Sequence, residues 1–197
     1  MRQPVVCTLL LLGIHVGLAA AAPPEVTGCA KCHGDNGVSV KPEAPTIAGM
    51  SSPYLDAQMS AYQNGKRPCP KMSDPKLSDS DMCEAAKKLT ATQVSETSAY
   101  YAGQKFVPAS QSIDAALAAK GKALHDAHCA TCHSGGGSEA ADDAGILAGQ
   151  WKPYLQATLQ DYTAGKRAQP DSMKRQMSRL SSADVNALAE YYASGGH

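Results

Sequence analysis

The pentapeptide Cys-x-x-Cys-His occurs twice, as Cys29 to His33 and as Cys129 to His133, and it limits what this chain can fold into more than any other feature. Two thiols three residues apart on a helical turn can form thioethers to the two vinyl groups of one haem. The histidine that follows then lies beneath the iron as an axial ligand. A thioredoxin-like redox pair needs no such histidine and expects a βαβ setting that this sequence lacks. A zinc ribbon would separate its two cysteine pairs by about 15–20 residues, whereas these stand 100 apart. Each motif is therefore expected to carry one covalent haem c, through Cys29 and Cys32 in the first and Cys129 and Cys132 in the second. His33 and His133 become the first axial ligands, and a pair of simple disulfides is the competing explanation.

The recurrence extends well beyond the motif. At an offset of 100, Ala48-Gly49 match Ala148-Gly149, Pro53-Tyr54-Leu55 match Pro153-Tyr154-Leu155, and Gly65-Lys66-Arg67 match Gly165-Lys166-Arg167. Farther on the offset becomes 91, pairing Leu89 with Leu180, Val94 with Val185 and Tyr100-Tyr101 with Tyr191-Tyr192. One unit is written twice. At 197 residues the chain makes two small domains, a size that usually needs a cofactor or cross-links to be stable. The expected division is 22–102 and 113–197, with "GQKFVPASQS" at 103–112 as linker.

The first 21 residues read as an export leader. Arg2 precedes an apolar run of 14 residues, Val5–Leu18, too short for the roughly 20 that a bilayer-spanning helix needs. Cleavage after Ala21 leaves Ala19 and Ala21 at the small-residue positions, and Cys7 stands too early for lipid attachment. The mature chain is expected in the periplasm, where disulfides persist, with no membrane span. The 18 basic and 18 acidic residues balance, which gives none of the cationic excess that nucleic-acid binding leaves.

The change of offset locates a nine-residue insertion in the first copy, between Arg67 and Leu89. Met82 and Met173 each stand seven residues before the matched leucines, Leu89 and Leu180. A methionine thioether is the usual sixth ligand of an electron-carrying haem. Met82 and Met173 are accordingly expected to complete the two irons, with Met72 and Met177 as competitors; Met177 also reads as a core residue. Cys69 and Cys83 bracket the stretch 68–83 and have no counterparts in the second copy. A disulfide between them would hold Met82 in place, while a rival reading takes Cys69, Met72, Met82 and Cys83 as a soft site for Cu(I).

Helical spacing appears at 89–104 and 180–195, each led by a Thr or Ser suited to capping, and in shorter runs ended by Gly65 and Gly165. Residues 112–129 supply a leading helix to the second motif only, and no strand pattern of useful length is present. His125 and His128 are expected on a helix surface, and Trp151 against a haem edge or a partner. Pro45 is placed to support His33 through its carbonyl; Gly145 holds the equivalent position, and the sequence leaves its role open.

With "CAKCHG", "CATCHS", the Ala-Gly segments and the Met to Tyr-Tyr runs, the mature chain resembles a tandem class I cytochrome c of the cytochrome c-four type. The runs "PASQSIDAALAAKGKALHDAHCATCH" and "ILAGQWKPYLQ" look closer to the cytochrome subunit of flavocytochrome c sulfide dehydrogenase. The resemblance implies an all-α protein of two class I domains, each around one haem. It further implies a sulfide-oxidising flavoprotein partner, whose FAD would pass electrons to the two haems, and a soluble cytochrome or oxidase downstream. A free diheme carrier serving a terminal oxidase is the alternative. No Gly-x-Gly-x-x-Gly turn follows a strand, so a flavin is not expected on this chain. Irons ligated by both His and Met offer a substrate no open position, which argues against an enzyme of its own.

Overall fold

The computed structural model describes residues 21–77 and 80–197, so that the expected leader, 1–21, falls outside it apart from Ala21. The described residues form helices and turns with no strand, and no helix among them is long and apolar enough to cross a membrane. In the first half these are α1 (Val26–His33), α2 (Ser52–Gln63), α3 (Met82–Lys87) and α4 (Ala91–Ala102). The second half contains α5 (Ala115–His128), a four-residue turn α6 (Ser134–Gly137), α7 (Lys152–Thr163), α8 (Asp171–Met177) and α9 (Ser182–Ala193).

The repeat is visible in how the helices begin. Thr90 and Ser181 each close a capping box with the residue three along, Gln93 and Asp184, which satisfies two otherwise unpaired N–H groups at the start of α4 and α9. It is visible in the loops as well. The Gly37 carbonyl accepts from Ile47 and Ala48, the Gly137 carbonyl from Leu147 and Ala148, and the N–H groups of Gly49 and Gly149 bond the carbonyls of Tyr101 and Tyr192.

The halves differ in depth. Leu155, Leu159, Val185, Leu188, Tyr191 and Tyr192 build a sizeable core between α7 and α9, joined by Met177. The first half gathers only Met50, Leu55 and Tyr101, plus Ile146 from the second. A core that small suits a unit whose interior is completed by a prosthetic group. α1 contains the whole first motif, whereas α5 stops at His128 and the second motif lies in turns beyond it, with Cys129 as helix cap.

One expectation about side chains is corrected. His125 is not a surface residue: it is 2% exposed and its Nδ1 lies 3.1 Å from the Tyr192 hydroxyl. It occupies the face of α5 that packs on α9, the most extensive helix pair, while His128 is exposed as expected. The Nε1–H of Trp151 donates to the Ser39 carbonyl of the first half at 2.9 Å.

Candidate metal centres

Cys29, Cys32 and His33 share one side of α1, whose axial repeat brings residues three and four apart together. The Cys29 thiol donates to the Glu25 carbonyl at 3.3 Å, and neither cysteine of either motif is in a disulfide. Burial pushes the Cys29 and Cys129 thiols up, more than the neighbouring Tyr101 and Tyr192 hydroxyls pull them down. The matched cysteines thus face the matched tyrosines.

His33 is 7% exposed, and its Nδ1 lies 2.9 Å from the Pro45 carbonyl oxygen. A carbonyl can only accept, so Nδ1 holds the proton and Nε2 keeps its lone pair. Burial pulls the His33 pKa below its ordinary value, and the nearby Arg67 charge adds to this; the ring is neutral, as a metal ligand must be. Burial lowers His133 likewise. Its buried Nδ1, however, finds no hydrogen-bond partner among the described residues. At the position matching Pro45 stands Gly145, which takes φ +78°, with Tyr54 so close that an added Cβ would lie 2.5 Å from its ring.

Met82 is the first residue of α3 and half-buried, and Met173, half-buried, packs against the core of the second half. Of the competitors, Met177 is 5% exposed within that core, and Met72 lines a surface groove with Lys41, Pro42 and Asp74. Cys69 and Cys83 are joined in a disulfide with their Cα atoms 5.7 Å apart. The bond removes the thiolates that a Cu(I) site would use.

Between the halves lies a polar seam that the sequence had not disclosed. Arg67 stacks over Tyr62 at 4.5 Å and donates to Gln58 Oε1 at 2.8 Å and to the Tyr154 hydroxyl at 3.1 Å. Arg167 stacks over Tyr162 at 4.4 Å and donates to the same Gln58 oxygen at 2.7 Å. Both guanidinium groups are buried, and neither pairs with a carboxylate among the described residues. Burial pushes the Tyr154 phenol up, but the two arginines outweigh it and hold the group below its ordinary value. Two buried positive charges without an anion are costly, which suits a prosthetic group that brings its own carboxylates. The repeated Gly-Lys-Arg was the available signal for these arginines. Gln150 is fully buried on the same seam and was marked only by replacing Met50 in the repeat.

Free thiol pairs, neutral buried imidazoles with Nε2 available, and unpaired buried arginines all fit covalent haem. The architecture is that of a tandem class I cytochrome c. The family described as "Cytochrome c" matches residues 25–102, and that described as "Cytochrome C oxidase, cbb3-type, subunit III" matches residues 116–191. Cytochrome c4 of Pseudomonas aeruginosa is 32% identical, over 97% of this chain and 98% of its own length. A thiosulfate dehydrogenase electron acceptor of Stutzerimonas stutzeri is 30% identical, over 93% of this chain and 86% of its own. The crystal structure of reduced cytochrome c4 from Pseudomonas stutzeri superposes with a TM-score of 0.72 at 26% identity, covering 91% of this chain and 100% of that one. The chain belongs to the cytochrome c4 family: it is a diheme electron-transfer protein with two covalent haems c, a carrier and not an enzyme.

Proposed function

We propose that this chain is the periplasmic electron-accepting subunit of a flavocytochrome c sulfide dehydrogenase. It would take electrons from a flavoprotein partner and pass them to a soluble cytochrome or an oxidase. In this reading 1–21 is the leader, 22–102 and 113–197 are the two haem units, and 103–112 joins them. Cys29, Cys32, His33 and Met82 hold the first haem, and Cys129, Cys132, His133 and Met173 the second. When bound, each haem supplies a one-electron centre; the chain's own residues hold the axial imidazoles neutral and oriented and keep water from them.

The observation that carries the carrier role is His33: buried, neutral and fixed through Nδ1 by the Pro45 carbonyl, it presents Nε2 alone. The flavoprotein partner is supported by the runs 108–133 and 146–156, which resemble the sulfide dehydrogenase subunit. A second reading, acceptor for a thiosulfate-oxidising enzyme, is favoured by the similarity to the thiosulfate dehydrogenase electron acceptor of Stutzerimonas stutzeri. An anaerobic titration of the protein purified from its native source separates the two. Flavin that co-purifies, with haem reduction by sulfide only while flavin is present, supports the sulfide complex. Flavin-free protein reduced by thiosulfate with a haem dehydrogenase added supports the second reading, and inertness to both leaves a free carrier.

A further inference from the structure

The two halves differ at two positions that belong to one device. The offset of 100 sets Pro45 against Gly145 and Met50 against Gln150. Pro45 gives His33 its acceptor, and the next residue, Thr46, is 1% exposed, with both backbone groups held by one side chain of the other half. Gln150 Oε1 accepts from the Thr46 N–H at 2.9 Å, and Gln150 Nε2 donates to the Thr46 carbonyl at 2.7 Å.

The carbonyl of Pro45 and the N–H of Thr46 belong to one trans peptide plane, since no peptide in the described residues is cis. In such a plane the two groups point in opposite directions. The proline ring fixes φ of Pro45 but leaves free the torsion that turns this plane. Gripping the N–H on one side therefore aims the carbonyl on the other, toward His33 Nδ1. The reverse device is missing from the second half. The Met50 side chain has neither an amide oxygen to accept nor an amide N–H to donate, and His133 Nδ1 has no partner among the described residues.

We propose that Gln150 is a positioning residue for the axial histidine of the first haem. It acts across the seam through the Pro45–Thr46 peptide, so that the potential of the first haem depends on the seating of the second half and not the reverse. The proposal rests on the reading of His33 and His133 as axial ligands. An acceptor on Nδ1–H enriches the imidazole in electron density and favours ferric iron. Loss of that aim raises the potential of the first haem and leaves the second where it was.

The test is Gln150→Met, the residue found at position 50, in the full chain with both haems attached. In a spectroelectrochemical titration the wave of the first haem moves to higher potential and the other stays. By NMR the His33 Nδ1–H exchanges with solvent about fivefold to tenfold faster, the loss of one net hydrogen bond. Waves are assigned with Met82→His and Met173→His. Trp151→Phe removes a different seam bond, to the Ser39 carbonyl, without touching the Pro45–Thr46 peptide, and is expected to move neither wave. Equal shifts of both waves in Gln150→Met, or the same shift in Trp151→Phe, would make Gln150 mere seam packing and overturn the proposal. A His33→Gly variant that keeps both waves would overturn the ligand reading on which it stands, a failure visible whatever Gln150→Met does.

Discussion

Replacing both cysteines of the disulfide, Cys69→Ala with Cys83→Ala, is expected to weaken the first half and spare the second. The bond joins residues 14 apart in sequence, and closing a loop of about 15 residues is worth about 3 kcal/mol in the chain-entropy model. Little else could replace it. α3 has six residues, too few to persist alone, and its other ties are the Asp81 cap, the Gln63 amide on the Ala86 and Leu89 carbonyls, and a Lys71–Asp81 ion pair at 3.0 Å. The ion pair, with its lysine largely in solvent, adds under about 1 kcal/mol. A loss of about 3 kcal/mol is a shift of roughly 150-fold in the unfolding equilibrium, or about 12–24 °C in the melting midpoint of a domain of this size. Calorimetry of the oxidised holoprotein resolves the two halves. The charge-transfer absorption of methionine-bound ferric haem, followed with temperature, reports on Met82 alone once Met173→His has removed the contribution of the second haem. A drop below about 1 kcal/mol would refute loop closure as the source of the stability. Equal drops in both halves would show that the seam, not the loop, transmits the loss.

Met82→His and Met173→His are each expected to lower the potential of their own haem and leave the other nearly unchanged, read by optical redox titration; equal shifts in both would end the assignment of one methionine per half. Arg67→Met removes a buried positive charge whose field already reaches His33, so the potential of the first haem falls, and the fall persists at high salt because the site excludes counterions. His125 has its pKa lowered by burial. Below about pH 6.5 the unfolded chain takes up a proton there that the folded chain resists, so the second half loses stability as pH falls. His125→Gln flattens that dependence in melts between pH 7 and 5.

Much of the fold could be read from spacing, because each half repeats the same local instructions. Thr90 and Ser181, and Gly65 and Gly165, mark elements through contacts a few residues apart. The seam could not be read this way. Its bonds join unlike positions about a hundred residues apart, as Gln150 with Thr46 or Arg167 with Gln58, and a repeat offset points only to like positions. His125 was misplaced for a related reason: its polarity suggested solvent, yet the helix register turns it toward Tyr192, which supplies the hydrogen bond that makes burial tolerable. The turn conformation of the second motif was also hidden, since nothing in "HCATCH" differs enough from "GCAKCH" to say that α5 ends before it.

The stretch that joins the halves has a consequence for rates. Ala109 donates to the Gly149 carbonyl at 2.8 Å, the Gln111 side chain bonds both the Gln150 carbonyl and the Lys152 N–H, and Phe106 and Pro108 lie against Gly49 and Gly149. A segment tied down along its length is a strap and not a tether of variable reach. An electron crossing between the halves therefore meets one gap and not a distribution of gaps, so its transfer follows a single exponential. Solvent viscosity, which slows any step that waits for two bodies to swing together, has nothing here to act upon.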